Sequence, residues 1–380
     1  MKKLQLIPET INRNNFDLIR FLLATSVIVC HCYATYYGWE QFVKHEPFMK
    51  WSGGKISIGS AAVNFFFVIS GFLILRSFER SSDFRDYLKK RILRIYPGFI
   101  VVFMMSFLVF GPLGHINHGT INSYRDFIHF IPLKREFANM LSLQSPIESR
   151  YFTHLPQTGL NNSLWTIQYE FICYLFVPIL VWMGFIKHKA WLLIALMISY
   201  ILFSLQSIGY IFPFNNNLSG GVIGNPYYYP RFFTYFLFGS SVYLFRDNIP
   251  RSLFIAIPAF VLFLFAFKLR LIDIIWPITG TYLLFYFAYH RIALFPNFAK
   301  YGDFSYGIYL YGWPLQQLIL LFFGKYLNVY TFFLVVFPII LIFAIVSWIF
   351  VEGPALKLKN KQLNLEVILP ISQFRFRNRN

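Results

Sequence analysis

The sequence predicts an all-α fold, a polytopic membrane helix bundle of about ten transmembrane helices with both termini cytoplasmic, and three observations lead there. Apolar runs recur between residues 16 and 350, each close to the ~20 residues that cross a ~30 Å hydrocarbon core. Of the 380 residues, 57% are hydrophobic and 13% charged, against about 25% charged in soluble domains. The Lys and Arg residues behind the net charge of +18 fall in short blocks between the runs. That pattern fixes membrane orientation and argues against a nucleic-acid partner.

The first run, 16–36, follows Lys2, Lys3 and Arg13, which place the N-terminus inside by the positive-inside rule. It is too long for a signal-peptide core and lacks a small-residue cleavage site, so no cleavable leader is expected. A second run, 57–75, ends at Arg76, Arg80, Arg85, Lys89, Lys90, Arg91 and Arg94, a block expected to be a cytoplasmic loop. The third, 96–113, leads out to a polar region from 114 to about 162. The fourth, 164–185, begins after Asn161, Asn162 and Ser163, residues suited to capping a helix. Further spans are expected at about 191–208, 229–245, 252–267, 271–289, 304–322 and 329–350. On this count Arg246, Arg251, Arg291, Lys300 and the C-terminal basic residues fall inside, and only Lys268 and Arg270 fall on the wrong side. The chain thus divides into a membrane domain, 1–356, and a basic cytoplasmic tail, 357–380. No extramembrane piece is long enough for a soluble catalytic domain, so any chemistry belongs in or beside the membrane.

Within the first run Asp17, Arg20 and His31 stand out. A charge near the bilayer centre costs about 2.5–3.5 kcal/mol on insertion scales, so such residues normally face protein partners or a wet cavity. Eleven positions at ~100° return to within roughly 20° of the start, so Arg20 and His31 share one helix face, about 16 Å apart along the axis. The competing reading is that Asp17 and Arg20 snorkel to the headgroups while His31 is a packing residue. The fourth run carries a further acid, Glu170. Cys30, His31 and Cys32 cannot close on one ion, because helix positions i and i+2 point ~200° apart. His115 and His118 make a weak metal signal in a polar loop, and no metal is expected. Aromatic residues make up 21% of the chain, enough for interfacial belts and for stacking on a ring-shaped ligand. No Walker loop, dinucleotide-binding glycine pattern or nucleophile elbow is present.

Phe16-Asp17-Leu18-Ile19-Arg20, ten residues and His31 resemble the first-span pattern of the membrane-bound acyltransferase-3 family, whose members O-acylate surface polysaccharides. Ala62-Val63-Asn64-Phe65-Phe66-Phe67-Val68-Ile69-Ser70-Gly71-Phe72-Leu73 is similar to its second-span motif. Arg91-Ile92-Leu93-Arg94-Ile95-Tyr96-Pro97 is similar to its arginine pair, and Leu164-Trp165-Thr166-Ile167-Gln168-Tyr169-Glu170 to its fourth-span motif. Ser305 to Pro314 fits a ninth-span pattern, except that Gly312 stands where many members carry histidine, so no role for that histidine transfers. The resemblance covers most of the chain and implies a single-component enzyme without an appended esterase-like domain.

What the resemblance implies is O-acetyl transfer from cytosolic acetyl-CoA, as donor substrate, to a hydroxyl of an extracytoplasmic glycan or glycolipid such as O-antigen, capsule or exopolysaccharide. The partners are then acetyl-CoA, membrane lipids and a glycan or lipid-linked saccharide, and the location is the bacterial cytoplasmic (inner) membrane. Transfer needs a base, and His31 suits it, since histidine can take and return a proton near neutral pH. The catalytic candidates are therefore His31, Arg20 and Glu170, with Glu170 either orienting the imidazole or balancing Arg20 or another buried cation. Arg91 and Arg94, one helical turn apart, are the candidates for the phosphates of the donor. Their competing reading is topology and anionic lipid alone. Ser70 and Gly71 are expected to serve close helix packing. A transporter or flippase for a lipid-linked or acidic solute, using Arg20, Asp17 and Glu170 as its path, is the main alternative. A non-catalytic scaffold is the third reading.

Overall fold

The computed structural model describes residues 14–116, 131–147, 152–184, 188–210, 223–289, 298 and 300–360. Among these there are no strands, and ten principal helices stand where the ten apolar runs are. They are α1 (Phe16–His45), α2 (Ile58–Glu79), α3 (Phe84–Met105), α4 (Trp165–Trp182), α5 (Lys189–Ser207), α6 (Tyr229–Leu244), α7 (Leu253–Leu269), α8 (Ile272–Ala288), α9 (Ser305–Phe323) and α10 (Val329–Ser347). Six stretches, containing α1 to α5 and α10, are long and apolar enough to cross a membrane, while α7 and α8 are shorter apolar helices. Lys2, Lys3, Arg13, His118, His129, Arg291 and most of the C-terminal tail lie outside the described residues.

Three expectations are corrected. The basic block is not a loop: Asp83 caps a helix by accepting from the Asp86 N–H at 2.8 Å, so Arg85 to Arg94 form the first turns of α3. Asp83 and Asp86 at that N-terminus suit the helix dipole, and the helix mounts Arg91 and Arg94 on a rigid element. The first helix outruns its predicted end, continuing to His45 across a break at Gly38, where φ is 74°. Asn161 and Ser163 do not cap α4, which has no side-chain cap. They are used on α9 instead.

The reason lies in Pro314. A proline inside a helix has no N–H for the carbonyl four residues back, which here is that of Leu310. The Asn161 side-chain amide donates to that carbonyl at 3.1 Å. Pro178 in α4 similarly frees the carbonyl of Tyr174, and the buried Tyr87 hydroxyl of α3 donates to it at 2.7 Å. Each proline thus creates an acceptor that a neighbouring segment must satisfy, which locks α9 and α4 to particular partners.

The centre of the bundle is α2, packed between α1 and α6. A Cβ built on Gly71 would sit 1.9 Å from the Phe236 carbonyl oxygen, and one on Gly239 1.9 Å from that of Val68. Small residues let these backbones approach closely, as expected for Gly71. At the periphery, α7 leaves Phe254 93% exposed, an apolar face fit for lipid.

A basic cavity along the central helix as candidate active site

A cavity of about 480 Å³ runs along α2, lined from Arg80 to Val63 and walled by α3, α4 and α9. Seventeen residues of helix rise about 25 Å, so the cavity follows most of the thickness of a hydrocarbon core. Seven basic side chains line it, including Arg20, Arg76, Arg91 and Arg94, against one acid, Glu170. The charge is concentrated toward the C-terminal end of α2, where Arg76 and Arg80 meet the basic turns of α3.

Arg20 of α1 and Arg94 of α3 converge on one carboxylate, Asp303, each at 2.6 Å from Oδ2. The Ser305 hydroxyl and N–H donate to the other oxygen of Asp303. Asp303 lies in the turn before α9. Burial alone would raise its carboxyl, but the Arg20 and Arg94 guanidiniums outweigh that and hold it below the usual carboxylate range. The triad ties three helices together at the basic end of the cavity. Arg94 also stands over the Tyr306 ring at 5.5 Å.

The two candidate donor arginines are therefore not equivalent. Arg94 is committed to Asp303, whereas Arg91 has no acidic partner among the described residues. Its guanidinium donates to the Ser77 hydroxyl at 3.2 Å and rests against the Tyr87 and Tyr174 rings, both at 5.8 Å. Aromatic walls of this kind hold a guanidinium without neutralising it, which leaves Arg91 able to take an anion.

Glu170 accepts from the Ser70 hydroxyl at 2.6 Å and, through a short contact, from the Tyr174 hydroxyl. It pairs neither with Arg20, which Asp303 satisfies, nor with His31. Ser70, expected only to pack, instead presents its hydroxyl to the cavity.

His31 is absent from the cavity lining. Its Nδ1 is buried without a hydrogen bond, and its ring stands edge-on to Trp313 with centroids 5.1 Å apart. Trp313 follows Tyr309, a lining residue, by one turn of α9, about 6 Å. The imidazole thus lies just past the end of the cavity remote from the basic cluster. Of the five candidates, Arg20, Glu170, Arg91 and Arg94 share the cavity and His31 stands beyond its apex.

Sequence reasoning missed Asp303 and Tyr174. For Asp303 a signal existed: it is the one acid between Asp273 and Glu352, in a chain whose embedded arginines need acids. No group of three or more His, Cys, Asp or Glu able to hold a metal occurs among the described residues.

Residues 13–352 match the acyltransferase domain family. An O-acetyl transferase of Shigella phage Sf6 is 27% identical over 361 residues, covering 93% of this chain and 99% of that protein. Nodulation protein 10 of Rhizobium leguminosarum bv. viciae is 28% identical over 171 residues, 44% of each chain. No solved structure matches.

Proposed function

The chain belongs to the acyltransferase-3 family, and from that premise we propose that this integral membrane acyltransferase is an O-acetyltransferase of the bacterial cytoplasmic membrane. It takes the acetyl group of cytosolic acetyl-CoA and places it on a hydroxyl of an extracytoplasmic glycan or glycolipid, such as O-antigen, capsule or exopolysaccharide. In this reading all ten principal helices cross the bilayer, both termini are cytoplasmic, and the basic end of the cavity opens to the cytosol.

The observation that carries the reading is a long, strongly cationic cavity with a histidine just beyond its apex. Acetyl-CoA carries its phosphates at one end of a long thin arm and a thioester at the other. Arg91, beside Arg94, would hold phosphate at the basic end through charge-assisted contacts. The arm would follow α2 inward and bring the acetyl carbonyl toward His31. There the imidazole takes the proton of the acceptor hydroxyl, the oxygen attacks the carbonyl carbon, the C–S bond breaks, and the departing thiolate takes up a proton. Ser70, Tyr174 and Glu170 form a linked polar group on the wall that the arm passes. The full-length similarity to an O-acetyl transferase supports acetyl as the acyl group.

Purified protein in detergent, given acetyl-CoA labelled in the acetyl group and polysaccharide from the native host, should transfer label to the polysaccharide. His31→Ala should lower turnover by about 10²–10⁴-fold, the range of general acid–base catalysis, with acetyl-CoA binding retained. Parental turnover in folded His31→Ala would remove His31 as the base. Solute flux in liposomes without acetyl-CoA, and no label transfer, would replace the enzyme by a transporter.

A further inference from the structure

A second cavity, of about 170 Å³, lies at the opposite end of α2 from the basic cluster, between α2, α5, α6 and α8. It is lined by Ser60 and Asn64, whereas the basic cavity reaches Arg76 and Arg80. Sixteen residues of helix, about 24 Å, separate Ser60 from Arg76. The basic cavity reaches along α2 as far as Val63, next to Asn64, but the two cavities share no lining residue and are distinct. Gly59 packs on Cys30, the neighbour of His31, so this cavity and the imidazole occupy the same end of α2.

The lining holds one acid and two bases, unlike the seven to one of the basic cavity. Arg231 donates through Nε to the Asn64 side-chain oxygen at 2.7 Å and through Nη2 to the Ser60 carbonyl at 3.0 Å. These bonds fix its fork and leave Nη1 without a partner among the described residues. Asp273, on the facing helix α8, lines the same cavity within Coulombic reach of Arg231 and makes no ion pair or hydrogen bond among the described residues. A charged acceptor and a charged donor are thus held across a gap that neither closes. Tyr227 and Tyr228 supply rings at the margin, with Tyr227 48% exposed.

We propose that this cavity binds one pyranose ring of the acceptor, which it anchors while a neighbouring hydroxyl is acetylated. The proposal rests on the glycan acceptor of the preceding reading. The volume is well below the roughly 300–1,000 Å³ of sites for drug-sized ligands, which limits the occupant to about one ring. A ring of hydroxyls needs both an acceptor and a donor, which Asp273 and Arg231 offer, and an apolar face to stack on, which the tyrosines offer. A phosphate would meet the Asp273 carboxylate, and an apolar acyl chain would strand both charges.

The test is saturation-transfer NMR on the full chain in detergent with a panel of methyl pyranosides covering hexoses, 6-deoxyhexoses, 2-acetamido sugars and uronic acids. At least one should receive saturation, and Asp273→Asn and Tyr227→Ala should each weaken its binding about tenfold or more. Acetyl-CoA binding should stay within twofold in both variants. Reciprocally, Arg91→Ala should weaken acetyl-CoA and leave the pyranoside unaffected. The proposal falls if no pyranoside in the panel binds, or if binding survives unchanged in both cavity variants. Pyranoside binding without acetyl transfer would keep this site and overturn the reaction, whereas acetyl transfer without pyranoside binding would do the reverse.

Discussion

Asp303 is the residue on which the basic end of the cavity depends. It faces two guanidiniums at 2.6 Å, and its removal takes from both the carboxylate they directly contact. Each contact to an ionised partner is worth about 1.5–3 kcal/mol, so Asp303→Asn should lower thermal stability and also weaken apparent acetyl-CoA affinity by about tenfold or more. A purely structural role would reduce folded protein while the remaining fraction kept its KM, and that outcome would separate Asp303 from donor placement. The pH dependence has a definite sign. Because its folded carboxyl titrates below the unfolded value of about 3.9, its stabilising contribution is complete above that value and is lost as pH falls through the lower one. An activity loss between about pH 8 and 5 therefore belongs to another group. Arg20, His31, Glu170, Arg91 and Arg94 could be singled out from the sequence because each is a polar anomaly in or beside an apolar run. What joins them could not: Asp303 is 283 positions from Arg20 in the numbering, and only the packing of α1 against α9 brings them together. The same limit applies to Glu170, whose charge suggests His31 or Arg20 as partner while packing gives it Ser70 and Tyr174.

The helices themselves were legible, since a run of about 20 apolar residues leaves little choice in a bilayer. Their repairs were not. A proline announces an orphan carbonyl four residues earlier, but which side chain reaches it depends on the neighbour, and Asn161 was spent on α9 where its position suggested a cap. The density of charge in the basic block signals orientation and carries no information on backbone geometry, whereas Asp83 and Asp86 hold the capping signal that makes it a helix. Close packing of α2 on α6 provides a sharp test at this scale. In Gly71→Ala the new methyl would lie 1.9 Å from the Phe236 carbonyl oxygen, and backbone cannot swing aside as a side chain can. Overpacking of this kind costs typically 1–3 kcal/mol, so melting in detergent should drop by several degrees and donor binding should fall with it. Ala at Gly209, where nothing lies within 4 Å but φ is +97°, should lower the melting temperature through backbone strain alone and leave donor binding intact. Equal loss of donor binding in the two variants would show that contact between α2 and α6 does not shape the cavity.

At the scale of the whole molecule, the function proposed above makes this a two-sided enzyme, with the donor entering at the basic end of α2 and the acceptor at the end that carries Ser60. Cysteine accessibility tests this directly. The native Cys30, Cys32 and Cys173 are all buried, so background labelling by a membrane-impermeant maleimide should be low. Ser77→Cys sits beside Arg91 on the basic cavity, and Tyr227→Cys sits at the rim of the small one. In inverted vesicles, Ser77→Cys should label and acetyl-CoA should protect it, while Tyr227→Cys stays unlabelled. In right-side-out vesicles the pattern should reverse, with acetyl-CoA giving no protection. The reasoning turns on α2: about 24 Å of helix between Ser60 and Arg76 nearly matches the ~30 Å hydrocarbon thickness, so one aqueous face cannot reach both ends unless the helix lies along the membrane. Labelling of both positions from the same side would mean that it does, and would remove the transmembrane separation of donor and acceptor from the mechanism.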